Sequence, residues 1–467
     1  MHYLLSLIVI AYNSSEYIED CLNSVFGQTY KDFETVIINN ASTDDTEEKI
    51  QALICDKPNV RYIKNSENAG GATAGNLGIK EAKGDYVFLM DSDDILPKGA
   101  LEALGKAAEN TKGDIVIGRA KCIYGDKIGY MKFNADDLTW AKPGEYSSLK
   151  ENPDLAIAPF YWGRIIRRQM LIDNGIFMKD GRLNADRYFT LNALKHSKKT
   201  VVIDELCYLW RRFLENGDRI SVSRGNTEED AFRDRMLSIH EADSLFEGFS
   251  NRKMRKFVKL QAINRLLIYA KDAVNNIDFR VLYVKSMKEY LSDVSMSEIY
   301  KSPYFSARRK TMCLLLKNGR TADFCNIADP ENKLKNEKNG NSLDIIVDMN
   351  DVPKDAKRQN RMHIAAFSVS SAENHGGAIK IDAVSKVWQG CDGRVLNLRL
   401  IKENGEEICN LGFADNKKGS EYSLKTEIKL ENIKENGNCS IVAEYLVNGI
   451  FNTSVFKKDN EVFIVNA

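Results

Sequence analysis

The stretch YVFLMDSDD, residues 86–94, runs from five apolar side chains directly into three carboxylates within four residues. A continuous apolar run is typical of a strand that is covered on both faces in a parallel sheet. The carboxylates of Asp91, Asp93 and Asp94 repel one another, and a positive group beside them would offset that repulsion. We therefore expect a buried strand that ends in a site for a cation.

Short apolar runs alternate with helical patterns along the first 110 residues. LLSLIVIAY, FETVIINN and VRYIKN are predicted strands, and SEYIEDCLNSVFGQ is a predicted helix because its apolar residues recur at helical spacing. This alternation predicts an α/β fold whose parallel sheet is covered by helices on both faces. DIVIGRAKCIY and TVVIDELCYLW are predicted later strands, and residues 160–175 and 186–197 between them are predicted to be helical.

The pattern changes twice further along the chain. Residues 1–225 form the predicted α/β domain, and residues 226–335 show helical periodicity with no strands between the helical runs. The polar stretch ENKLKNEKNGNS (331–342) is typical of a linker. From 342 to 467, short alternating runs such as GAIKIDAVSKVW and SIVAEYLV predict an all-β, sandwich-like C-terminal domain.

The composition excludes several classes of protein. Lys and Arg number 66 and Asp and Glu number 66, so the basic excess of a nucleic-acid binder is missing. No run approaches about 18 consecutive apolar residues, and the start reads as a buried strand rather than a signal peptide. The 9 cysteines are scattered without zinc-site spacing. We expect a cytoplasmic protein with reduced thiols and at most peripheral contact with the inner face of the membrane.

Three predicted strands end in polar residues, which are expected to meet at one edge of the sheet. These are Ala11-Tyr12-Asn13, Asn39-Asn40-Ala41-Ser42 and Asp91-Ser92-Asp93-Asp94. An aromatic ring, amides and carboxylates suit a base, a ribose and a metal-bound diphosphate, and oxygen ligands favour Mg²⁺ or Mn²⁺. The alternative for this acidic run is a helix N-cap, and we expect Asp94 to have that role.

The sequence does not contain the motifs that mark other nucleotide-binding folds. After the first strand the chain reads IAYNSS, where a dinucleotide-binding unit needs G-x-G-x-x-G. The glycines of ENAGGATAGN (67–76) have a different spacing, and no G-x-x-x-x-G-K-[ST] occurs. A nucleotidylyltransferase would need a glycine-rich, basic loop after the first strand, which this chain does not have.

The polar strand ends resemble those of a known family. LIVIAYNSSEYIEDCLNSVFGQTYKDFETVIINNASTDDT (7–46) and ENAGGATAGNLGIKEAKGDYVFLMDSDDILPKGALE (67–102) are similar to the nucleotide-binding half of glycosyltransferase family 2. The resemblance covers about the first 225 residues and implies the GT-A fold, a Rossmann-like mixed sheet with helices on both faces. It also implies transfer of a sugar from a nucleotide-sugar, with inversion and with Mn²⁺ or Mg²⁺ as cofactor.

The resemblance assigns roles to individual residues. Tyr12 would stack on the base, Asn40 would occupy the base-reading position, Asp91 would contact the ribose or the metal shell, and Asp93 would coordinate the cation. The remaining residues implied in the nucleotide-sugar site are Ala11, Asn13, Asn68 and Ser92.

The acceptor side of the site is implied by RLNADRYFT (182–190), where the family has a Glu-Asp pair before a helix. Asp186 corresponds to the general base, and Ala185 stands in place of the Glu. The alternative for Asp186 is an N-cap of the following helix. In LCYLWRRFLENGDRISVS (206–223), Arg211 and Ser221 resemble residues that close over the donor diphosphate, although an exposed strand edge with solvated arginines fits equally. Trp162 either lines an acceptor groove or belongs to the core.

Three positions depart from the family pattern. Asn40 stands where Asp is usual, so UDP is the default but the base is less certain, since an Asn amide can also donate to cytosine. Gly75 replaces an Arg and would remove a cation near the nucleotide, and Ala185 removes an acid beside the base. These departures leave open a catalytically degenerate protein that binds carbohydrate or acts in assembly.

The order of domains is similar to that of the wall teichoic acid glycosyltransferases of Gram-positive bacteria, as an analogy of architecture. It implies a glycan or polyol-phosphate polymer as acceptor and a homo-oligomer, a trimer, formed through the C-terminal domain. That domain could instead bind carbohydrate. The basic stretches 252–259 and 307–310 either attract an anionic polymer or membrane surface or are solvated helix faces.

Overall fold

The computed structural model describes residues 2–125, 127–129, 131, 136–212, 227–247, 252–302 and 304–328, together with strands between 366 and 465. The chain divides into two compact units, one reaching Lys259 and the other beginning at Leu260. The first unit therefore continues past residue 225, where the sequence pattern changes. None of the helices in the described part of the chain combines the length and apolarity that a bilayer crossing requires.

One mixed sheet forms the centre of the first unit, in the order β3-β2-β1-β4-β8-β5-β9-β7, with β6 paired to β5. The strands β1 to β4 are parallel, whereas β8 runs antiparallel to both of its neighbours, β4 and β5. The described strands of this sheet are β1 (Tyr3–Ala11), β2 (Phe33–Asn39), β3 (Val60–Lys64), β4 (Gly84–Asp91), β5 (Ile115–Tyr124), β6 (Lys127–Gly129), β7 (Gly144–Tyr146), β8 (Arg164–Arg167) and β9 (Thr200–Arg211).

Helices follow the strands, as the alternating pattern predicts. At the start of α7, the side chain of Thr227 accepts from the backbone N–H of Asp230 and so caps the helix. The helices of this part of the chain are α1 (Ile18–Phe26), α2 (Thr46–Ile54), α3 (Gly70–Glu81), α4 (Ala100–Thr111), α5 (Arg168–Asp173), α6 (Ala185–His196), α7 (Glu228–Ser244) and α8 (Arg252–Leu266).

The parallel strands bring the predicted polar segments to one edge. Ile10 of β1 pairs with Asp91 of β4, and Ala11 pairs with Asn39 of β2, so the carboxyl ends of three strands lie side by side. β4 approaches β1 closely where it begins, because a Cβ added at Gly84 would lie 2.6 Å from the backbone nitrogen of Ser6. Residues of β1, β2 and β4 are almost all buried, as their apolar sequences predict.

The predicted helix over residues 160–175 is wrong in its first part. Arg164–Arg167 form the strand β8, and only Arg168–Asp173 are helical. Ile165 pairs with Phe88 of β4, and Ile166 pairs with Ile115 of β5. The short apolar sequence is compatible with a helix or a strand. Backbone N–H and C=O groups of β4 and β5 need hydrogen-bonding partners, and this need favours a strand between them.

The second unit contains helices followed by antiparallel strands. Ser295 begins α11 with a capping box completed by Glu298. The helices that follow α8 are α9 (Ala270–Asn275), α10 (Ile277–Tyr290), α11 (Met296–Lys301), α12 (Ala307–Lys317) and α13 (Thr321–Ala328). The predicted linker, residues 331–342, lies outside the described residues.

The C-terminal strands confirm the all-β prediction for this region. Two antiparallel sheets have the orders β10-β11-β15-β14 and β13-β12-β16-β17. These strands are β10 (Ala366–His375), β11 (Ala378–Lys386), β12 (Gly393–Lys402), β13 (Glu407–Gly412), β14 (Asn416–Lys418), β15 (Glu421–Lys429), β16 (Cys439–Val447) and β17 (Ile450–Val455), followed by β18 (Lys457–Lys458), β19 (Glu461–Val462) and β20 (Ile464–Val465).

Candidate active site

Direct hydrogen bonds join the three polar strand ends. The backbone N–H of Asn40 donates to the carbonyl of Ala11 at 2.8 Å, and that of Ser92 donates to the carbonyl of Ile10 at 3.2 Å. The hydroxyls of Ser14 and Ser92 lie 2.5 Å apart and are buried. The segments that follow β1, β2 and β4 therefore form one continuous surface, as the sequence predicts.

The segment after β1 presents an aromatic ring. Tyr12 is 39% exposed, whereas the next residue, Asn13, takes a left-handed conformation with φ of 46°. Asn13 is fixed at both ends, because its N–H donates to Ser42 Oγ at 3.0 Å and its Oδ1 accepts from the N–H of Thr43 at 2.8 Å. The loop is thus held in place while the ring of Tyr12 faces solvent, where a planar ligand could stack on it.

The buried side chain of Asn40 lies at the centre of a network of amides. Its Nδ2 donates to Asn68 Oδ1 at 2.7 Å, and its Oδ1 accepts from Asn65 Nδ2 at 2.8 Å and from the N–H of Ala69 at 3.2 Å. Asn68 Oδ1 also accepts from the N–H of Gly70, the first residue of α3. Asn40 therefore anchors the loop before α3, a role that sequence reasoning missed. An aspartate at position 40 has no hydrogen to donate to Asn68.

Asp91 ends β4 as a half-buried carboxylate that accepts a hydrogen bond from the hydroxyl of Tyr161. Burial, the charge of Asp93 and the charge of Asp186 raise the pKa of Asp91 to about 7, against the lowering effect of the Tyr161 hydrogen bond. A negative charge at Asp91 is therefore costly in the protein alone, and a bound cation would remove that cost.

Asp94 is completely buried and does not cap a helix, so that prediction is wrong. Its carboxylate accepts from the hydroxyl of Tyr208 at 2.5 Å and from the backbone N–H of Arg211 at 2.7 Å. α4 begins only at Ala100, after Gly99 with φ of 83°. Burial, followed by the charges of the two neighbouring carboxylates, raises the pKa of Asp94 well above its usual range. Asp94 fixes the acidic loop to the end of β9.

Arg211 brings a positive charge to the acidic loop. Its Nε donates to the backbone carbonyl of Asp93 at 2.7 Å, and its Nη2 lies 3.4 Å from an oxygen of Asp20. The guanidinium also lies over the ring of Tyr17, 4.9 Å from the ring centroid. Arg211 is thus beside the predicted diphosphate position, whereas Ser221 lies outside the described residues.

Asp186 lies in the first turn of α6. Asn184 is the N-cap, and Asp186 Oδ1 accepts from the N–H of Arg187 at 2.8 Å, so Asp186 is not the cap residue. The charge of Asp186 contributes to the raised pKa values of Asp91 and Tyr161, which places its carboxylate on the side of the acidic loop. Residues nearly a hundred positions apart in sequence are therefore brought into one electrostatic cluster.

Two departures from the family pattern lie in the core. A Cβ added at Gly75 would be 2.2 Å from the terminal methyl carbon of Met178 and 3.2 Å from side-chain carbons of Ile10 and Leu89. Met178 therefore fills the space that a side chain at position 75 would need. Ala185 is 6% exposed, so the position that carries a glutamate in the family is buried here.

Tyr161 and Tyr208 support the acidic loop, and sequence reasoning missed both. Tyr208 is fully buried, and its ring is stacked on Trp162 at a centroid distance of 4.7 Å and an interplanar angle of 4°. Trp162, 4% exposed, in turn stacks on Phe160 at 4.4 Å. Of the two alternatives for Trp162, the core is what the structure shows. The aromatic-rich stretch FYW (160–162) was the available signal.

The donor atoms at the acidic loop fit a hard divalent cation. Among the described residues, no three His, Cys, Asp or Glu side chains are grouped as a complete protein-only metal site. Asp91 and Asp93 are partly exposed carboxylates, whereas Asp94 is fully engaged with β9. Carboxylate oxygens with substrate phosphates and water are the usual shell of Mg²⁺, and Asp91 and Asp93 offer oxygens of that kind.

Comparisons with known proteins agree with this geometry. The family model "Glycosyl transferase family 2" matches residues 6–175. Glycosyltransferase GlyG of Streptococcus pneumoniae is 26% identical over 223 residues, which are 45% of this chain and 72% of that protein. Poly(ribitol-phosphate) beta-N-acetylglucosaminyltransferase TarS of Staphylococcus aureus is 26% identical over 209 residues, covering 44% of this chain and 35% of that protein.

A solved structure shows the same fold. The crystal structure of S. aureus TarS 1–349 in complex with UDP-GlcNAc matches with a TM-score of 0.57 and 18% identity, covering 70% of this chain and 90% of that one. The sheet order and this likeness define a GT-A glycosyltransferase fold. Residues 6–175 thus match glycosyltransferase family 2, the family that the polar strand ends resemble.

Proposed function

We propose that this protein transfers a sugar from a nucleotide-sugar, by default a UDP-sugar, to a hydroxyl of a cell-surface polysaccharide or teichoic-acid-type polymer. The observation that carries the proposal is the acidic loop after β4, which lies at the carboxyl edge of the sheet and is hydrogen-bonded to the polar segment after β1. A base on one side and a diphosphate-binding loop on the other are the two parts that glycosyl transfer needs.

The donor site is supported by the residues around Tyr12. Its exposed ring is suited to stack on a base, and Asn40 with Asn68 shapes the floor beside it. The solved TarS complex contains UDP-GlcNAc, which supports a uridine nucleotide for the related fold. Ala11, Asn13 and Ser92 complete the proposed nucleotide-sugar site.

Asp93 is the proposed ligand of Mn²⁺ or Mg²⁺, with Asp91 assisting. When bound, the cation would offset negative charge on the departing nucleoside diphosphate. Arg211 contributes a second positive charge from the end of β9, and a guanidinium is suited to two-pronged contact with phosphate. Asp93 and Asp91 would therefore hold the cation, and Arg211 would contact the departing diphosphate directly.

Asp186 is the proposed general base. It would take the proton of the acceptor hydroxyl as that oxygen attacks the anomeric carbon, while the diphosphate leaves from the opposite face. A single in-line displacement inverts the configuration of that carbon. General-base catalysis of this kind contributes roughly 10²–10⁴ in rate.

The acceptor proposed is a glycan or polyol-phosphate polymer. TarS is named for action on poly(ribitol-phosphate), which supports an anionic polymer of this class. The basic stretch 252–259 on α8 could attract such a chain. We further propose that the enzyme works in the cytoplasm, at most peripheral to the inner face of the membrane, and that the β domain forms a homotrimer.

A thermal-shift panel tests the proposal. UDP, CDP, GDP and TDP are compared with and without Mn²⁺, and the expected result is the largest stabilisation with UDP and Mn²⁺. The Asp93→Ala variant should lose the part of the thermal stabilisation that depends on Mn²⁺, and it should no longer turn over the nucleotide-sugar. Turnover that survives chelation and Asp93→Ala would contradict the metal role. Saccharide binding without nucleotide binding would instead favour a catalytically degenerate carbohydrate-binding or assembly protein.

A further inference from the structure

Backbone donors fix which atom is the oxygen and which is the nitrogen in two side-chain amides of the site. The N–H of Ala69 donates to Asn40 Oδ1 at 3.2 Å, and the N–H of Gly70 donates to Asn68 Oδ1 at 3.0 Å. A side-chain NH₂ group carries only donors, so it cannot accept from these N–H groups. The hydrogen bond of 2.7 Å between the two amides therefore has one direction, from Asn40 Nδ2 to Asn68 Oδ1.

The side chain of Asn40 is not available to a bound base. Asn40 is 1% exposed, and its Oδ1 accepts from Asn65 Nδ2 at 2.8 Å as well as from the N–H of Ala69. A carbonyl oxygen has two lone pairs, and both are used by these two donors. Asn40 can therefore act on a base only through the residue to which it donates, Asn68.

Asn68 is exposed and offers a hydrogen-bond donor to a ligand. Its Oδ1 accepts from Asn40 and from Gly70, whereas no residue in the described part of the chain accepts from its Nδ2. The backbone N–H of Asn40 donates at 2.8 Å to the carbonyl of Ala11, the residue before Tyr12. The free NH₂ group of Asn68 thus belongs to the same surface as the exposed ring of Tyr12.

The pattern of donors and acceptors on the pyrimidines decides what such an NH₂ group selects. Uracil has a carbonyl oxygen, O4, at the ring position where cytosine has an amino group. An NH₂ donor pairs with O4, but it meets the amino group of cytosine donor to donor. The N3–H of uracil finds no acceptor in Asn40 or Asn68, because the oxygen of each amide already accepts two hydrogen bonds.

We propose that Asn68 selects uracil over cytosine by donating from Nδ2 to O4, and that Asn40 is the positioning residue that fixes the direction of the Asn68 amide. The inference rests on the proposed nucleotide-sugar function and names the atoms that read the base. In an Asn40→Asp variant, the new carboxylate faces Asn68 Oδ1 oxygen to oxygen. The Asn68 amide then turns over, donates to that carboxylate and offers Oδ1 to the base, which suits the amino group of cytosine.

The test is calorimetric titration of the full chain with UDP and with CDP, each with Mn²⁺. The measured quantity is the ratio of the two dissociation constants, because UDP and CDP carry the same charge and the ratio cancels a general effect of added negative charge. Wild type should bind UDP at least about tenfold more tightly than CDP. Asn68→Asp keeps both hydrogen bonds to Oδ1 and replaces the donor by a carboxylate oxygen, so this preference should fall at least about tenfold.

Asn40→Asp should lower the preference for UDP in the same direction, since it also replaces the donor that faces the base by an acceptor. Asn59→Asp is the matched control. It makes the same chemical change before β3, at the opposite edge of the sheet, where Asn59 Nδ2 donates to the carbonyl of Phe33 at 3.1 Å. The control should leave the ratio within about twofold of wild type.

A double-mutant cycle separates the indirect role of Asn40 from direct contact with the base. In the Asn68→Ala background, adding Asn40→Asp should change the ratio less than about twofold, because no amide remains to be turned. The same change with and without Asn68 would show that residue 40 reads the base itself and would overturn the inference. If Asn40→Asp does not fold, Asn68→Asp decides alone.

Two outcomes distinguish this inference from the proposed function. A wild-type chain that binds neither UDP nor CDP in the presence of Mn²⁺ would overturn the proposed function and the inference with it. A chain that binds both nucleotides equally well, or whose preference for UDP survives Asn68→Asp, would overturn the inference alone.

Discussion

The hydroxyl of Tyr208 donates a hydrogen bond of 2.5 Å to the carboxylate of Asp94, across 114 residues of sequence. The same hydroxyl accepts from the backbone N–H of Asp91 at 3.3 Å. One buried tyrosine on β9 therefore fixes both the start and the end of the acidic loop. The shape of this loop depends on a strand that lies far from it in the sequence.

Tyr208→Phe should destabilise the first unit by about 1–3 kcal/mol, because it leaves a buried carboxylate without its hydroxyl partner. Nucleotide binding in the presence of Mn²⁺ should weaken at the same time, since the acidic loop loses its support. Tyr30→Phe is the control, because the hydroxyl of Tyr30 bonds Glu109 at the surface. Chemical denaturation and UDP titration measure both effects, and equal losses in the two variants would contradict the role assigned to Tyr208.

The raised pKa of Asp91 predicts that the stability of the folded protein depends on pH. Its pKa is about 7 in the folded protein, against about 4 in an unfolded chain. Between these values the folded state binds more protons than the unfolded state, so stability falls as pH rises from about 4 to about 7. Asp91→Asn should reduce this decline in the absence of divalent cations. Melting temperatures at pH 5 and pH 8 measure it, and parallel declines in both proteins would contradict the assignment.

The parallel half of the sheet could be predicted from the sequence because its strands are buried on both faces and read as unbroken apolar runs. The strand β8 could not be predicted in this way. Its four residues, Arg164–Arg167, carry no periodicity of their own, and they are extended because β4 and β5 offer backbone partners on both sides. The strand conformation is thus selected by the position between β4 and β5 in the sheet, rather than by the local sequence preference of these residues.

The residues of the candidate site likewise divide into those that could be predicted from the sequence and those that could not. The carboxylates Asp91 and Asp93 could be proposed from residue type and position at a strand end, and Asp186 could be proposed from the resemblance of RLNADRYFT to the family. Tyr161 and Tyr208 could not, because an aromatic residue in an apolar stretch gives no sign that its hydroxyl meets a carboxylate elsewhere. Local sequence also suggested a helix cap for Asp94, since it cannot show the competing donors at the end of β9.

Two glycine substitutions should differ in cost although both introduce one methyl group. Gly84→Ala puts Cβ 2.6 Å from the backbone nitrogen of Ser6, and backbone atoms of a paired strand cannot yield cheaply. A loss of about 1–3 kcal/mol is expected from such overpacking. Gly75→Ala meets the flexible end of Met178 and gains helix propensity in α3, so its loss should be smaller. Denaturation midpoints give the order, and the reverse order would contradict this account of the β1–β4 contact.

Asp186→Asn should stop transfer while leaving donor binding intact. The amide keeps the size of the carboxylate but cannot take a proton, so kcat should fall roughly 10²–10⁴-fold. The affinity for UDP with Mn²⁺, measured by calorimetry, should stay within about twofold of wild type. Asp180→Asn is the matched control, because Asp180 lies on the segment before α6 and accepts from Thr73 Oγ1 at 2.8 Å. Unchanged transfer in Asp186→Asn would remove it as the base, and an equal loss in Asp180→Asn would show that the effect is not specific to that carboxylate.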